Sequence, residues 1–232
     1  MDGKIVQVIY QDRFAIIKMN AGENRFNLSF TQAMNRALDE IEARSDIQAV
    51  ITTSTGKFFS NGLDLDWLNK QSESTRQKSL YESGVLIGRI LTFPIPTVAA
   101  INGHAFAAGA ILALAHDYRV MRTNHGWWSL NEVFINRRFA PGWLQVLKDK
   151  LSHDGVLRQA MLFGKRFTAE EAVKDNIIDE CVAHEILMQS AKKLIHQLGE
   201  NKQYPRATLG LFKRDLYAKA YNLLNESPKS KL

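Results

Sequence analysis

The chain has 232 residues, of which 45% are hydrophobic and 23% charged, a composition typical of a globular protein with a sizeable core. No window reaches the roughly 18 uncharged apolar residues of a membrane-spanning helix, the single cysteine Cys181 excludes an intrachain disulfide, and no closely spaced Cys or His pair offers a metal site. The formal net charge of +6 is spread along the chain, which favours a solvated surface or an anionic small molecule over a nucleic acid.

The N-terminal part of the chain alternates strand and helix patterns. Residues 5–10 and 14–19 are rich in β-formers and flank a short polar turn, which predicts a hairpin. Ser29 and Gln32 have the spacing of a capping box, and the apolar residues that follow share one helical face. A buried strand at 49–52 comes next, and this β-α-β order predicts a parallel pairing of strands.

The same alternation continues through the middle of the chain and favours an α/β fold. The predicted elements are a glycine-containing loop at 56–62, a helix around 81–91, a strand at 97–101, a small-residue helix at 107–115 and a strand at 117–121. Helices dominate from residue 143 onward. A second capping box stands at 168–171, and 177–182 is the one later segment with strand character. We therefore expect a core domain over residues 1–185 and a helical region over residues 186–232.

Two glycine-containing segments, 56–65 and 102–111, each join a β-like run to a loop or helix start. Backbone N–H groups at such junctions lack partners and can bind an anionic oxygen. Neither segment matches a phosphate-binding loop or a dinucleotide fingerprint. Taken separately, each is better explained by glycines that serve turns and close packing.

Together, the two segments resemble the crotonase (enoyl-CoA hydratase/isomerase) superfamily, and the resemblance extends over nearly the whole chain. The stretches that carry it are residues 25–27, 57–64, 96–104, 108–109, 116–118, 167–172 and 177–179. Residues 58–65 and 102–109 look most like peroxisomal Δ3,Δ2-enoyl-CoA isomerases, and residues 130–133 are similar to the catalytic segment of mitochondrial isomerases. The resemblance implies a spiral of repeated β-β-α units with a C-terminal helical region that assembles homotrimers.

The resemblance also implies an oxyanion hole formed by the backbone N–H groups of Leu63 and Ala108, which would bind the thioester oxygen of an acyl-CoA. Removal of a proton beside a thioester builds an enolate, which preorganised donors stabilise more than the ground-state carbonyl. Glu132 stands at the position of one catalytic carboxylate, whereas the position of the second carboxylate of hydratases is Ile111. One carboxylate facing an apolar wall, which should raise its pKa, fits a proton shuttle from carbon 2 to carbon 4. The expected reaction is therefore isomerisation and not hydration.

Further residues receive roles from the same resemblance. Contacts with CoA, as part of the substrate, are expected from Arg25, Phe26, Asn27, Gly62, Asp64 and Lys213, with Arg214 as an alternative to Lys213. The acyl pocket is expected to include Ile111, Trp128 and Phe134. For Asp64 a capping role outweighs a catalytic one, and His104 and His116 are expected to be structural. Residues 136–138 replace a glycine-containing turn of many relatives, and no cofactor or metal is implied.

The sequence ends in Ser230, Lys231 and Leu232, the tripeptide that peroxisomal import receptors bind. Combined with an acyl-CoA substrate, it predicts a peroxisomal matrix enzyme of fatty-acid β-oxidation with the import receptor as a partner. Two alternatives remain open at this point. One is another crotonase reaction, such as hydration or thioester hydrolysis, and the other is a non-catalytic, RNA-binding relative.

Overall fold

The computed structural model describes residues 4–151, 153–197 and 204–227, and within them the strands form two sheets. The strands are β1 (Val6–Gln11), β2 (Phe14–Met19), β3 (Ala49–Ser54), β4 (Phe58–Ser60), β5 (Thr97–Ile101), β6 (His104–Phe106), β7 (Tyr118–Arg122), β8 (Trp128–Ser129), β9 (Arg166–Phe167) and β10 (Glu180–Val182). The larger sheet has the order β1-β2-β3-β5-β7-β10, and the smaller one has the order β4-β6-β8-β9. Only the β1–β2 and β8–β9 pairs are antiparallel among these strands.

Helices connect the strands and form the C-terminal region. They are α1 (Leu28–Glu42), α2 (Leu65–Asn69), α3 (Glu73–Leu91), α4 (Ala108–Ala115), α5 (Pro141–Lys150), α6 (Asp154–Leu157), α7 (Ala169–Lys174), α8 (Leu187–Gln197), α9 (Arg206–Leu216) and α10 (Ala218–Asn225). Shorter turns are a 3₁₀ turn at Glu132–Ile135, a π-helical turn at Arg158–Leu162 and a second 3₁₀ turn at His184–Ile186. No helix among the described residues is long and apolar enough to span a membrane.

A strand of the larger sheet is followed three times by a strand of the smaller sheet and then by a helical segment. The three units are β3-β4-α2, β5-β6-α4 and β7-β8 with the first 3₁₀ turn. Each unit crosses from one sheet to the other, so the chain advances as the spiral of β-β-α units that the resemblance implied. All eight residues of α4 are buried, which explains why this helix consists of small and apolar side chains.

The strands of the larger sheet were largely predictable. The hairpin, the strands at 49–52 and 97–101, and the parallel pairing of β2 with β3 are confirmed. The strand of the 177–182 segment is confined to β10. The four strands of the smaller sheet were missed, because they are two or three residues long and lie in the glycine-containing segments and in the loops after β7 and the π-helical turn.

Of the two capping boxes predicted at helix starts, one is confirmed and the other is wrong. Thr168 caps α7 in a full capping box with Glu171, as predicted. The capping box predicted at Ser29 is wrong, because α1 begins at Leu28 and its cap is Asn27, whose side-chain oxygen accepts a hydrogen bond from Phe30 N at 3.0 Å. Asparagine is among the strongest N-cap residues, so Asn27 caps the helix in place of Ser29.

A buried ion pair joins the C-terminal helices to the core. Lys213 of α9 is 7% exposed, and its Nζ donates to Asp117 Oδ2 at 2.5 Å and to the Ile95 carbonyl at 3.0 Å. Arg206, at the start of α9, donates to the Glu42 carbonyl at the end of α1 at 3.2 Å. A buried ammonium is tolerated only where such partners replace water.

Candidate active site

The candidate site is a cavity of about 370 Å³ between the segment that follows β4, the start of α4, the first 3₁₀ turn and α5. Leu63, Ala108 and Glu132 all line it, together with Trp143 of α5. The structure therefore brings the predicted carboxylate and both predicted N–H donors to one cavity. Leu63 and Glu132, the first and the last of the three along the chain, are 69 positions apart in the sequence.

The backbone N–H of Leu63 is directed by a short parallel bridge to Phe26. Phe26 N–H donates to the Gly62 carbonyl at 2.7 Å, and Asp64 N–H donates to the Phe26 carbonyl at 3.0 Å. Both bonds lie on one edge of the segment, so the N–H of the intervening Leu63 points to the opposite edge. No acceptor within the described part of the chain takes it.

The second donor is the N–H of Ala108, which is the first residue of α4 and therefore has no intrahelical acceptor. The chain enters α4 through Ala107, a residue with φ 53° and ψ −126°, a backbone conformation that L-residues rarely adopt. A Cβ added to Gly62 would lie 3.0 Å from Ala108 N and 2.9 Å from Ala107 Cβ. The backbone next to Leu63 N therefore lies directly beside Ala108 N, which gives two adjacent free donors.

Gly109 lets this arrangement form. A Cβ on Gly109 would lie 2.2 Å from the Ser60 carbonyl oxygen of β4, closer than non-bonded atoms can approach. The start of α4 is thereby packed directly on the strand that leads to Gly62 and Leu63. Because both donors belong to backbone on either side of this contact, their separation is fixed by the packing of α4 on β4.

Glu132 is the first residue of the 3₁₀ turn that follows β8, and it is 9% exposed. Its Oε2 is shielded from solvent and has no hydrogen-bond partner among the described residues. Burial raises the pKa of Glu132 from 4.5 to about 7, against the opposing effect of a hydrogen bond to its own backbone. A carboxyl group with this pKa can both accept and return a proton near neutral pH.

Glu132 is the sole carboxylate among the described residues that line the cavity. The apolar part of the lining comes from several elements and consists of Leu63, Leu65, Leu68, Leu80, Ile135, Phe139 and Trp143. An apolar wall of this kind excludes water from the neighbourhood of the carboxylate. The cavity can therefore support proton transfer by one group, and the described part of the chain places no second carboxylate in it to activate a water molecule.

Arginines add positive charge to the same cavity. Arg25, Arg76, Arg137 and Arg138 line it, and Arg25 is also paired with Glu23 at 2.6 Å. Of these arginines, only Arg25 was predicted from the sequence to contact the ligand. The sequence did not indicate a ligand contact for Arg76, because it lies on a helix with an ordinary pattern of charges. Arg137 and Arg138 attracted attention only because their turn differs from that of many relatives. Guanidinium groups suit the phosphates of an anionic ligand.

The turn that contains these two arginines keeps the conformation that a glycine would allow. Asn136 has φ 52° and ψ 44°, in the left-handed region that asparagine adopts more readily than most other residues. The replacement of glycine at this turn therefore costs the backbone little.

The expected acyl-pocket residues need correction. Ile111 and Trp128 are fully buried and do not line the cavity. Ile111 lies within the buried helix α4, and Trp128 donates its Nε1 hydrogen to the Ala110 carbonyl at 3.1 Å. Phe134 is 72% exposed and also lies outside the lining. The apolar wall opposite Glu132 is thus made by other residues than those predicted.

The residues expected to contact CoA divide into one cavity-lining residue and a scaffold. Arg25 lines the cavity. The Phe26 side chain is buried and both its backbone groups are bonded, so it has nothing to offer a ligand. Asn27 donates to Asp64 Oδ2 at 3.1 Å, and Asp64 caps α2 by accepting from Trp67 N, the capping role that the sequence favoured. With Gly62 they shape the loop that presents Leu63 N.

The expectation for Lys213 is corrected as well. Its ammonium is buried against Asp117 and the Ile95 carbonyl, so it cannot reach a phosphate of a ligand in solution. Arg214, the alternative, lies over the Tyr221 ring with its Cζ 5.0 Å from the ring centre, and it lines a separate pocket between α3 and α9.

His104 and His116 both have structural contacts, and neither lines the cavity. His104 Nδ1 accepts from Trp127 N at 3.2 Å, and burial lowers the pKa of His104. The His116 ring lies 2.8 Å from both the Leu112 carbonyl and the Thr52 hydroxyl, and burial lowers its pKa to about 4. These positions agree with the structural roles expected for them.

Comparison with known proteins gives concordant results from sequence and structure. A sequence model of the family described as enoyl-CoA hydratase/isomerase matches residues 10–227. The peroxisomal enoyl-CoA delta isomerase 2 of Arabidopsis thaliana is 36% identical to the chain over 174 residues, which cover 72% of each sequence.

Two solved structures are similar over almost the whole chain. The enoyl-CoA hydratase of Mycobacterium ulcerans has a TM-score of 0.86 and 26% identity, covering 97% of this chain and 96% of its own. The human mitochondrial delta3-delta2-enoyl-CoA isomerase has a TM-score of 0.83 and 26% identity, with coverage of 97% and 93%. Proteins named for two different reactions on enoyl-CoA therefore share this architecture.

Proposed function

The chain belongs to the enoyl-CoA hydratase/isomerase family, and on that premise we propose that it is a Δ3,Δ2-enoyl-CoA isomerase. The reaction moves the double bond of a 3-enoyl-CoA to give trans-2-enoyl-CoA. The observation that carries the proposal is that one buried carboxylate, Glu132, shares a cavity with two backbone donors and no other acid among the described lining residues.

The first step of the proposed reaction is proton removal. The thioester oxygen binds between Leu63 N–H and Ala108 N–H, and the Glu132 carboxylate takes a proton from carbon 2. The electrons of the broken C–H bond form a dienolate, whose negative charge resides largely on the thioester oxygen. One donor aimed at such an oxyanion typically accelerates a reaction by about 10²–10³-fold, because it strengthens as charge develops.

The second step returns the proton. Protonated Glu132 delivers it to carbon 4, where the electrons of the C3–C4 double bond form the new C–H bond. The electrons of the C1–C2 double bond of the dienolate become the C2–C3 double bond, and the thioester carbonyl re-forms. The raised pKa of Glu132 makes its carboxylate a stronger base in the first step and keeps the proton on the carboxyl group until carbon 4 takes it, and the apolar wall hinders exchange with water. The reaction is redox-neutral and transfers no group, so we propose that it uses no cofactor.

The test is the variant Glu132→Gln, assayed with 3-hexenoyl-CoA and 3-decenoyl-CoA by the ultraviolet absorbance of the conjugated product. We expect a loss of at least about 1,000-fold, since a general base of this kind contributes about 10²–10⁴-fold and no other acid in the cavity replaces it. The variant should fold, and at pH 8 it should be more stable by up to about 3 kcal/mol, because burial disfavours the carboxylate that the amide replaces.

The matched control is Glu185→Gln, which changes an exposed glutamate of the other 3₁₀ turn and should leave activity unchanged. Full activity of Glu132→Gln would overturn the assignment. Accumulation of 3-hydroxyacyl-CoA from 2-enoyl-CoA by the unmodified chain would instead establish a hydratase.

Cellular role and assembly are part of the same proposal. We propose that the chain acts in fatty-acid β-oxidation in the peroxisomal matrix, where the Arabidopsis relative is named as peroxisomal. The terminal tripeptide Ser230, Lys231 and Leu232 lies outside the described residues, so localisation through an import receptor stays a prediction. We also propose that the chain forms homotrimers, which the exposed apolar side chains next to the site support.

A further inference from the structure

Asn131 carries an acceptor that the fold leaves without a partner. It immediately precedes Glu132, lines the same cavity, and its Oδ1 is buried with no hydrogen-bond partner among the described residues. It also stands at the position where asparagine usually caps a helical turn, yet its side chain makes no capping bond. Only its backbone carbonyl is used, by Phe134 N at 3.1 Å.

The other asparagines around the site behave differently. Asn61 also lines the cavity, but its Nδ2 donates to Glu23 Oε2 at 2.8 Å. Asn27 is bonded through both ends of its amide. Arg76 Nε and Glu132 Oε2 are the other buried atoms of the described cavity lining without a partner. A buried polar atom without a partner costs about 1–3 kcal/mol, so the acceptor of Asn131 points to a donor supplied by a ligand.

The neighbouring Glu132 does not supply that donor, because no hydrogen bond joins the two side chains. Asn131 and Glu132 both line the cavity, and each has one buried oxygen, Oδ1 and Oε2, without a partner among the described residues. The Glu132 oxygen is assigned to the migrating proton of the substrate, and the Asn131 oxygen needs another ligand hydrogen.

The chemistry of an enoyl-CoA limits the choice. The acyl chain carries only C–H bonds and the thioester has no N–H or O–H, so the nearest donor is the pantetheine amide N–H two methylenes from the sulfur. Resting on the function proposed above, we propose that Asn131 is a substrate-binding residue whose Oδ1 accepts a hydrogen bond from this amide N–H.

Such a contact would hold the substrate on both sides of its sulfur. The thioester oxygen is bound by Leu63 N and Ala108 N, and the amide beyond the sulfur is bound by Asn131. Two anchors along one short segment restrict its rotation, which keeps carbon 2 within reach of Glu132.

The experiment uses two small thioesters of 3-hexenoic acid with the full chain. The N-acetylcysteamine thioester retains the amide N–H, and the 1-pentanethiol thioester has a similar length without it. We expect the unmodified chain to prefer the first by about 10-fold in kcat/KM, the value of one hydrogen bond of about 1.4 kcal/mol. In Asn131→Leu the preference should fall to about 1.

Two further variants complete the comparison, one as a control and one as a substitute for Asn131→Leu. Val133→Ala changes an exposed residue of the same turn that does not line the cavity, and it should keep the preference. Asn131→Ala provides the same test with a smaller side chain if Asn131→Leu fails to fold. An unchanged preference in the foldable Asn131 variant overturns the inference and leaves the isomerase proposal intact. Failure of the unmodified chain to isomerise either thioester or 3-hexenoyl-CoA overturns both.

Discussion

Glu132 combines two properties that oppose each other in most proteins, burial and the need to ionise. The cause of its raised pKa is burial in a cavity whose lining contains no other acid among the described residues and whose walls are largely apolar. The carboxylate gains basicity as a result, at the expense of being ionised in only part of the molecules at neutral pH.

This pKa sets the pH dependence of activity. Only ionised Glu132 can take the proton from carbon 2, so kcat/KM should rise with pH, reach half of its maximum near pH 7 and stay level above it. The measurement is kcat/KM for 3-hexenoyl-CoA from pH 5 to pH 9. A rate that is already level from pH 5.5 would mean an ordinary, solvated carboxylate and would contradict the structure.

Single residues were predictable where a motif fixes the backbone and unpredictable where side-chain direction decides. The roles proposed for Leu63 and Ala108 involve only N–H groups, so their placement depends on glycine spacing that is visible in the sequence. Trp127 immediately precedes β8 and Trp128 is its first residue, yet the first is 37% exposed and the second is fully buried. No pattern in two residues tells which of them faces inward.

Contact between α4 and β4 is the packing on which the proposed oxyanion hole depends. We expect Gly109→Ala to force the two elements apart, because the new Cβ would meet the Ser60 carbonyl oxygen at 2.2 Å. The overpacking should lower stability by about 1–3 kcal/mol, and the displaced Ala108 N–H should lower kcat by roughly 100-fold. Thermal unfolding and the isomerase assay measure the two effects.

Gly155→Ala is the matched control, since it also changes a helical glycine but places its Cβ no closer than 4.0 Å to any neighbour, Arg158 Nη2. It should leave activity unchanged and stability unchanged or slightly higher. Equal behaviour of the two variants would show that the α4–β4 contact is not tight.

Elements were predictable in proportion to their length. The strands of the larger sheet other than β10, and helices such as α1, show their periodicity over five residues or more. The smaller sheet consists of strands too short for any alternation, and its existence follows only from the repeated β-β-α order. The candidate site lies where these short strands end, which explains why the motif located it better than the secondary-structure pattern did.

Over the whole molecule, an exposed apolar patch lies beside the site. It consists of Val133, Phe134, Ile135, Leu162 and Phe163, which range from 43% to 72% exposed. The first 3₁₀ turn packs on the π-helical turn, and the Phe134 ring lies so close to Gly164 that an added Cβ there would be 2.4 Å away. Contiguous apolar surface of this kind is typical of subunit interfaces.

If this patch forms the trimer contact, light scattering should give three times the 26.3 kDa of one chain. Phe134→Asp should then yield monomers, because a carboxylate would be buried without a partner in the interface. Leu216→Asp tests the C-terminal helical region, to which the family resemblance assigned the assembly, and if the patch forms the contact instead this variant should remain trimeric. A monomeric unmodified chain would contradict the proposed assembly, and dissociation of only the α9 variant would place the contact elsewhere.

The ion pair between Lys213 and Asp117 means that the α/β core depends on the C-terminal helices to neutralise the charge of Asp117. Asp117 also accepts hydrogen bonds from the backbone and hydroxyl of Thr97, at the start of the central strand β5. Removal of α9 would leave a negative charge with no counter-ion at the foot of that strand, in addition to uncovering apolar surface. The two regions are distinct along the sequence, but a segment that replaces either of them must also supply the corresponding member of the Lys213–Asp117 pair.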